Sequence, residues 1–408
     1  MDTLIGLCGI GVLIGAAYLM SENRKAINWR LVGAGIGLQV ILALLILKVP
    51  GTKEAFAALG HGIEKLLDCA VDGAAFVFGE ELARGKYIFF VRIGSSIIFV
   101  ASLASLAYYL GIMQRVVRGL ARVLVKTMGI SGPEALSAAS AVFVGQVECQ
   151  VLIKPYMAGL TRSELFCSMA AAMATISGSA LIAYTGLGMN ATYLIAASIM
   201  SAPAGILMAK IMIPESNTKA LSASMDLAAP PAGANVFDAM VHGAMDGAKI
   251  VGSVMIMVLV AIASVSLING SLAWAFSLFG TSLQIQDIFA VPMMPVAFLM
   301  GVPYHECFHV GRLMATEILV NEFVSYGELA KVIQGTGPYE LSLKTQMIAT
   351  FALCGFANLG SIAINIGGLG AMVPERRSEI AKLALRALIA ANMGTWITAA
   401  IAGVLFSI

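Results

Sequence analysis

The stretch LFCSMAAAMATISGSALIAYTGLGMNATYLIAASIMSAPAGILMA, residues 165–209, runs for 45 residues without an aspartate, glutamate, lysine or arginine. A helix needs about 20 apolar residues to cross a bilayer, so this stretch can cross twice, with a turn at 186–190. Uncharged tracts at 250–286 and 345–374 are also long enough to span. Charged residues make up only 12% of the chain, against about 25% in soluble domains. The sequence therefore predicts an all-α, polytopic membrane protein.

The positions of the charged residues predict about eight transmembrane helices and two re-entrant hairpins. Residues 1–86 are expected to hold two spans and an interfacial amphipathic helix. Residues 87–212 are expected to form a first repeat, with a span at 87–114, a re-entrant hairpin at 133–155, a broken span and a plain span. A hairpin is favoured there because its second half carries a glutamine and a glutamate, which are tolerated where a re-entrant tip lines a cavity.

The second half repeats this order. Residues 213–248 are predicted to be a cytoplasmic loop and a lead-in helix. Residues 249–408 are predicted to contain a span, a re-entrant hairpin at 288–326 that breaks around 301–306, a broken span at 339–373, and a last span. Three crossings in each half give the repeats opposite orientations. This inverted repeat is typical of secondary transporters, whose substrate sites lie near the midplane.

Basic residues concentrate in the connections that this topology places on one side. By the positive-inside rule that side is cytoplasmic, and both termini lie outside a bacterial inner membrane. The formal net charge is only +2, and no long run of lysine or arginine is present. We therefore expect contact with membrane lipid and no nucleic-acid partner.

Three short motifs place polar side chains in apolar tracts. Gly145-Gln146-Val147-Glu148 joins an amide to a carboxylate, which suits the edge of a polar heterocycle. Asn321-Glu322-Phe323-Val324 supplies a second carboxylate. Phe356-Ala357-Asn358-Leu359-Gly360-Ser361 combines polar side chains with small residues that allow a helix to unwind. Each motif could also serve helix packing or lie in a loop. Together they favour a transporter of a polar solute, because polar groups at membrane depth commonly mark substrate pathways.

These motifs resemble those of the concentrative nucleoside transporters. The first is close to the family's Gly-Gln-Thr/Ser-Glu, the second matches Asn-Glu-Phe-Val-Ala with Ser325 at its end, and the third matches Phe-Ala-Asn-x-x-Ser. Gly301-Val302-Pro303 fits the family's second hairpin. The likeness covers roughly residues 50–405. It implies a homotrimeric, cation-coupled importer of nucleosides that moves a transport domain against a scaffold and is not an enzyme.

The resemblance also implies roles for individual residues. Those expected to contact the substrate are, at the base, Gln146, Val147, Glu148 and Phe356, and, at the ribose hydroxyls, Glu322, Asn358 and Ser361. Val147 stands where the family usually has threonine or serine, so one hydroxyl near the base is absent. The preference between purine and pyrimidine nucleosides stays open.

The side-chain oxygen atoms near the predicted cation position bear on whether Na⁺ or H⁺ is the coupling ion. Sodium-coupled relatives bind the cation between the first hairpin and the next helix break, where this chain has Val144, Thr175 and Ile176. Ala141 and Val147 supply no side-chain oxygen, which weakens the case for Na⁺. A proton needs only a buried carboxylate, for which Glu148 and Glu322 are candidates. We expect H⁺ coupling, with Na⁺ as the alternative and no other cofactor.

An unrelated motif favours a different class of protein. His305-Glu306-Cys307-Phe308-His309 is a literal H-E-x-x-H, the zinc pair and general base of metalloproteases. Such a protease needs both histidines on one regular helix and a third ligand elsewhere. Because 301–303 contains glycine and proline, the helix would only just begin at His305. We expect no metal site or catalytic residue, and intramembrane proteolysis or transport of another polar solute remain the alternatives.

Overall fold

The computed structural model describes residues 2–85, 90–216, 233–277 and 284–406, and within these ranges the chain is helical and contains no strand. Part of the predicted cytoplasmic loop, 217–232, lies outside the described residues. The helices of the first half are α1 (Asp2–Leu19), α2 (Trp29–Leu47), α3 (Thr52–Phe78), α4 (Ser95–Tyr109), α5 (Ile112–Met128), α6 (Gly132–Ala141), α7 (Glu148–Val151), α8 (Lys154–Met157), α9 (Arg162–Ala174), α10 (Gly178–Gly186) and α11 (Ala191–Met212). Those of the second half are α12 (Val236–Ser277), α13 (Ile285–Leu299), α14 (Cys307–Leu319), α15 (Glu322–Ile333), α16 (Leu343–Ala352), α17 (Leu359–Met372) and α18 (Arg377–Phe406).

Capping side chains begin the helices α10, α15 and α17, which follow breaks in the chain. At α10, Ser177 Oγ accepts from the backbone N–H of Ala180 at 3.2 Å. At α15, Asn321 Oδ1 accepts from Val324 N at 2.9 Å. Asn358 caps α17 in the same way. Such caps satisfy backbone donors that have no partner at a helix start. Polar residues within apolar tracts therefore mark the points where the helices are interrupted.

The two halves repeat one order of elements in opposite orientations. The series α4 to α11 corresponds to α12 to α18, with α7 and α8 together matching α15. The broken span α9–α10 begins beside the end of α11, where Ser163 Oγ donates to Ile213 O at 2.7 Å. The broken span α16–α17 begins at the opposite end of the molecule, where Leu343 and Phe406 line one cavity. The predicted all-α fold with an inverted repeat is confirmed.

Five helical segments are long and apolar enough to cross a membrane. They are Trp29–Leu47, Arg162–Gly186, Ala191–Met212, Val236–Phe276 and Pro374–Phe406. The remaining predicted spans correspond to shorter or bent apolar helices, namely α1, α4 and α16–α17. The span predicted at 87–114 corresponds, within the described residues, to 90–109 and ends at a sharp bend. α4 ends at Tyr109 and the chain bends by 79° into α5, because Gly111 adopts a left-handed conformation with φ of 73°.

The break of the second hairpin lies later in the chain than predicted. The segment 301–306 is a turn between α13 and α14, in which Gly301 has φ of 90°. The hairpin is formed by α14 and α15, and its tip is Val320-Asn321. The Gly-Val-Pro sequence resembles a tip because glycine and proline interrupt helices. Asn321 nevertheless sets the tip, because its side chain caps α15.

Each hairpin is anchored at its base by a buried glutamate. Glu134 in α6 pairs with Lys210 of α11, whose ammonium also donates to Ser163 Oγ at 3.0 Å. In the second repeat, Glu306 accepts from the backbone N–H of Ser342 at 3.0 Å and from its hydroxyl at 3.1 Å. In both repeats these contacts connect the first helix of the hairpin to the start of the following broken span. The hairpin tips lie at the other end of these helices.

Small residues bring the central helices close together. A Cβ added to Gly205 of α11 would lie 2.8 Å from Ala171 Cα in α9, and one added to Gly394 of α18 would lie 3.1 Å from Gly205 N. Close helix approach through small residues is a common packing mode in membranes. The two plain spans α11 and α18 therefore form the buried centre of the molecule, around which the hairpins and broken spans pack.

The connections after α1 and before α18 meet at one end of the molecule. Glu22 accepts a 2.9 Å hydrogen bond from Arg162 and also pairs with Arg386. These guanidinium groups hold the pKa of Glu22 below its usual value, chiefly through the hydrogen bond from Arg162. At the other end, Gly6 of α1 packs against Val404 of α18. Both ends of the described chain therefore lie on the side opposite this basic cluster.

Candidate substrate site

A polar network surrounds the start of α17. Gln146, from the loop between α6 and α7, donates through Nε2 to Ser361 Oγ at 3.0 Å. Asn365, one turn further along α17, donates through Nδ2 to Gln146 Oε1 at 3.1 Å. Asn358 accepts from the backbone N–H of Ser361 at 3.0 Å. The tip of the first hairpin and the break of the second broken span therefore meet in one place.

Glu322 brings the second hairpin into the same network. Its Oε2 accepts from Asn358 Nδ2 at 2.8 Å, and its Oε1 accepts from the hydroxyl of Tyr184 at 2.9 Å. Glu322 is 7% exposed. A buried carboxylate needs donors to both oxygens to offset lost hydration, and these contacts provide them. Each oxygen can accept a further hydrogen bond, so the group can still bind a ligand hydroxyl.

Glu148 differs from its sequence-based expectation in burial. It was expected to be a buried carboxylate, but it is exposed at the start of α7. Its carboxylate folds back over the preceding turn, where a Cβ on Gly145 would lie 2.2 Å from Glu148 Oε2. Glycine at 145 is thus required for this side-chain position. The exposure follows from the loop 142–147, which interrupts the hairpin and leaves Glu148 at a helix start.

The other predicted substrate residues lie on the same elements. Val147 packs against α17, since a Cβ on Gly368 would lie 2.9 Å from Val147 Cγ1. Phe356 is half-buried and lies two residues before Asn358 in the break between α16 and α17. The structure thus brings the two hairpins and α17 together through Gln146–Ser361 and Glu322–Asn358. Glu148, Val147 and Phe356 remain partly accessible beside this buried network.

Two residues of the network were missed by the sequence analysis. Tyr184 lies on α10 and binds Glu322, and its ring packs 4.6 Å from that of Tyr326. Asn365 lies four residues after Ser361 and is fully buried. The spacing from Ser361 to Asn365 is that of one helical face, which could have indicated Asn365. Nothing in the sequence near Tyr184 indicates its partner, which is 138 residues away in the chain.

The predicted cation position is lined mainly by apolar side chains. Thr175 Oγ1 donates back to Ala171 O and Ala172 O, both at 3.3 Å. The carbonyl of Ile176 accepts from Ser198 Oγ at 3.1 Å. Val144 packs against an apolar cluster formed by Ala141, Cys149 and Ala172. The side chains near this position are therefore mainly apolar, and the one hydroxyl is already engaged within its own helix.

The H-E-x-x-H residues serve the fold in separate ways. His305 lies in the turn before α14, so the two histidines do not share one regular helix. Glu306 is engaged by Ser342, and His309 stacks on Tyr339 with ring centroids 4.0 Å apart. Among the described residues, no group of three or more His, Cys, Asp or Glu side chains is placed to hold a metal ion. The geometry does not favour a zinc protease.

A cavity with a volume of about 1020 Å³ lies apart from the polar network at the start of α17. It lies where α3, α4, α10, α15 and α16 meet, and none of the predicted substrate residues lines it. Ala183 and Thr185, which flank Tyr184 in sequence, form part of its wall, as does Phe406 at the end of α18. The cavity therefore opens at the end of the molecule where α18 ends.

Comparisons with known proteins cover nearly the whole chain. The family models "Na+ dependent nucleoside transporter N-terminus" and "Na+ dependent nucleoside transporter C-terminus" match residues 8–81 and 193–403. A third model, described as "Gate: Nucleoside recognition", matches residues 90–191. An uncharacterized transporter of Haemophilus influenzae is 42% identical over 410 residues, covering 99% of this chain and 98% of the relative.

Some relatives and solved structures have names that state a transport function. The nucleoside permease NupC of Helicobacter pylori is 36% identical over 410 residues, covering 98% of this chain and 97% of that protein. Sodium/nucleoside cotransporter 1 of Mus musculus is 36% identical, covering 99% of this chain and 64% of that protein. The structure of CNTnw in an inward-facing substrate-bound state matches with a TM-score of 0.93 at 36% identity, covering 100% of this chain and 98% of that one. The chain therefore belongs to the Na⁺-dependent, concentrative nucleoside transporter family, whose members carry out cation-coupled nucleoside uptake across membranes.

Proposed function

We propose that this chain binds its nucleoside between the two hairpin tips and the start of α17. The observation that carries the proposal is the hydrogen-bonded network that joins Gln146, Ser361, Asn358 and Glu322. Residues from both hairpins and from one helix break converge there. In secondary transporters with inverted repeats, substrate sites lie among such discontinuous helices.

The chemistry of a ribose diol fits the buried part of this site. The two hydroxyls of the diol are donors, and Glu322 is a carboxylate with acceptor capacity left after Tyr184 and Asn358 have bound it. Ser361 offers a hydroxyl that both donates and accepts. Hydrogen bonds to a charged group contribute about 1.5–3 kcal/mol each. We therefore assign Glu322, Asn358 and Ser361 to the ribose.

The more accessible residues suit the base. Gln146 offers an amide donor and acceptor, and Glu148 offers a carboxylate that accepts from a base N–H. Phe356 supplies an aromatic face for stacking, and Val147 supplies an apolar contact in place of a hydroxyl. Two carboxylates in one site also oppose a phosphate by like-charge repulsion. We therefore propose nucleosides, and not nucleotides, as substrates of a transporter without enzymatic activity.

A binding measurement tests this assignment. Purified protein in detergent is titrated with uridine, adenosine, ribose and uridine monophosphate, and binding is followed by calorimetry. We expect saturable binding of the nucleosides, much weaker binding of ribose, and none of the nucleotide. Equal affinity for uridine and uridine monophosphate would contradict the assignment, because a doubly acidic site would then tolerate an added phosphate.

We further propose that the coupling ion is a proton. The family description names Na⁺, so this is a departure for the present chain. Its support is the apolar lining at Val144 and the engagement of the Thr175 hydroxyl and the Ile176 carbonyl by protein groups. A sodium ion must exchange its hydration shell for protein oxygens, and the side chains of Ala141, Val144 and Val147 supply none at this position. Uptake into proteoliposomes is measured with an imposed Na⁺ gradient and, separately, an imposed proton gradient. Accumulation with Na⁺ alone would refute proton coupling.

We propose that the transporter works as a homotrimer in the bacterial inner membrane, with both termini outside. Support for self-association comes from α12, whose described side chains are largely exposed and apolar, among them Ile256, Leu259 and Leu267. Support for the orientation comes from the cluster of Arg162 and Arg386, which the positive-inside rule places in the cytoplasm. Light scattering of the purified protein tests the trimer, and labelling of a cysteine introduced at Thr3 in intact cells tests the orientation.

A further inference from the structure

Glu317, near the end of α14, is fully buried and lies outside the proposed nucleoside contacts. Neither of its carboxylate oxygens has a hydrogen-bond partner in the described part of the chain. The hydroxyl of the adjacent Thr316 is also buried without a partner. None of the ion pairs between described residues includes Glu317. An ionised carboxylate in such a place is very costly, because nothing replaces its hydration.

The neighbourhood of Glu317 is acidic. The charge of Glu322, five residues later across the hairpin tip, acts on Glu317. The charge of Glu317 in turn acts on Tyr326 of α15 and on Cys354 in the break between α16 and α17. On the packed helices α13 and α14, Arg312 pairs with Asp287 at 3.3 Å and also donates to Gln284. No cation that could compensate a charge on Glu317 is therefore found among its described neighbours.

The environments of Glu322 and Glu317 favour different protonation states. Glu322 receives hydrogen bonds on both oxygens, from Tyr184 and from Asn358, which favours its ionised form. Glu317 receives none, which favours its neutral, protonated form. Like-charge repulsion makes the doubly ionised pair unfavourable. One proton held at Glu317 therefore leaves Glu322 free to act as the acceptor for the substrate.

The position of Glu317 in the repeat supports a role in coupling. It lies at the junction of the second hairpin tip with the helix break α16–α17. In the first repeat, the corresponding junction of hairpin tip and helix break is the predicted cation position at Val144 and Thr175. The first junction is mainly apolar, whereas the second holds a buried carboxylate.

We propose that Glu317 is the site that carries the coupling proton of this transporter. This rests on the proposal of proton coupling. Protonation of Glu317 removes the repulsion on Glu322 and so strengthens its hydrogen bonds to the ribose hydroxyls. By reciprocity, nucleoside binding favours protonated Glu317, so binding takes up a proton at a pH where Glu317 is ionised before the substrate arrives. Protonation also removes the charge that would otherwise be buried in a moving part of the protein.

The test compares wild type with Glu317→Gln, which mimics the neutral acid and cannot release a proton. For wild type we expect two results on the alkaline side, where Glu317 is ionised in the free protein: nucleoside binding takes up as much as one proton, and affinity rises by up to about tenfold for each unit of falling pH. For the variant we expect no proton uptake, affinity independent of pH, intact nucleoside counterflow, and no accumulation driven by a proton gradient. Glu340→Gln, at an exposed position before α16, is the matched control and should behave as wild type.

The possible results distinguish the assignment of Glu317 from the proposals of proton coupling and of the nucleoside site. Proton uptake and pH dependence that persist in Glu317→Gln would overturn the assignment, because the proton would then bind elsewhere or Glu317 would always be neutral. Wild type that accumulates nucleoside with Na⁺ and takes up no proton would overturn proton coupling, and Glu317 with it, while leaving the nucleoside site intact. If Glu317→Gln does not fold, Glu317→Met keeps the volume without the titratable group and decides by the same readouts.

Discussion

The replacement Glu322→Gln probes the centre of the proposed site with the least change in shape. The glutamine oxygen must face Asn358 Nδ2, which donates at 2.8 Å and cannot accept. The new amide nitrogen then faces the hydroxyl of Tyr184, which can accept from it. The variant can therefore satisfy its protein partners, so the fold should persist. What it loses is a charged acceptor for the ribose hydroxyls.

The expected loss follows from the energy of such a bond. A charge-assisted hydrogen bond contributes about 1.5–3 kcal/mol, and about 2 kcal/mol corresponds to roughly a 30-fold weaker affinity. Loss of both hydroxyl contacts would make binding undetectable by calorimetry. The assay is titration of the purified variant with uridine and adenosine, with thermal unfolding recorded to confirm that the protein is folded.

The matched control is Glu306→Gln, at a buried glutamate of the same hairpin. Glu306 accepts from the backbone and the hydroxyl of Ser342 at the base of the hairpin, away from α17. We expect its affinity for nucleosides to stay within a few-fold of wild type, although its unfolding temperature should fall. The reasoning is refuted if Glu306→Gln weakens binding more than Glu322→Gln does.

Four further predictions follow from single contacts. Asn358→Ala removes the donor to Glu322 and the cap of α17, and we expect nucleoside binding in calorimetry to be nearly abolished; binding within threefold of wild type would contradict the assignment. Tyr184→Phe removes one charge-assisted hydrogen bond from Glu322 and should weaken uridine binding by about tenfold or more, since a bond to a charged group contributes about 1.5–3 kcal/mol, whereas an unchanged affinity would show that this bond is not needed. Gly145→Ala would place a Cβ against Glu148 and should reduce uptake in proteoliposomes, with Gly37→Ala, which meets open space, as the control. The pKa of Glu22 is lowered by Arg162, so the stability that Glu22 contributes is present above its pKa in the unfolded chain and is lost as pH falls through its pKa in the folded protein. Because the Glu22 side chain is 34% exposed, Glu22→Gln should remove at most about 1 kcal/mol of the free energy of unfolding. The unfolding temperature of the variant should therefore fall less on acidification than that of wild type.

Most of the fold is predictable from the composition of the chain and from its helix-capping residues. The uncharged tract 165–209 correctly indicated two crossings with a turn before Ala191, because α10 ends at Gly186 and Asn190 caps α11. The second hairpin was misplaced because Gly301 and Pro303 interrupt a helix as strongly as a tip does. Only the packed structure shows that this interruption is the turn from α13 into α14.

The candidate site was predictable where a motif carried it and not elsewhere. Gln146, Glu322 and Asn358 lie in motifs, and their side chains take part in one network, whereas their contacts with a substrate stay a prediction. Tyr184 could not be found, because its partner is determined by the packing of α10 against the second hairpin. Burial was also not predictable residue by residue, since Glu148 proved exposed and Glu317 fully buried. Both outcomes depend on which face of a short helix meets its neighbours.

The most direct test of the account is uptake of radiolabelled uridine and adenosine into proteoliposomes that contain only the purified protein. An inward cation gradient is imposed, and the collapsed gradient serves as the blank. The account predicts saturable accumulation of nucleoside that disappears with the gradient and is not inhibited by nucleotides. No uptake of any nucleoside, together with zinc bound to the protein in metal analysis, would contradict it.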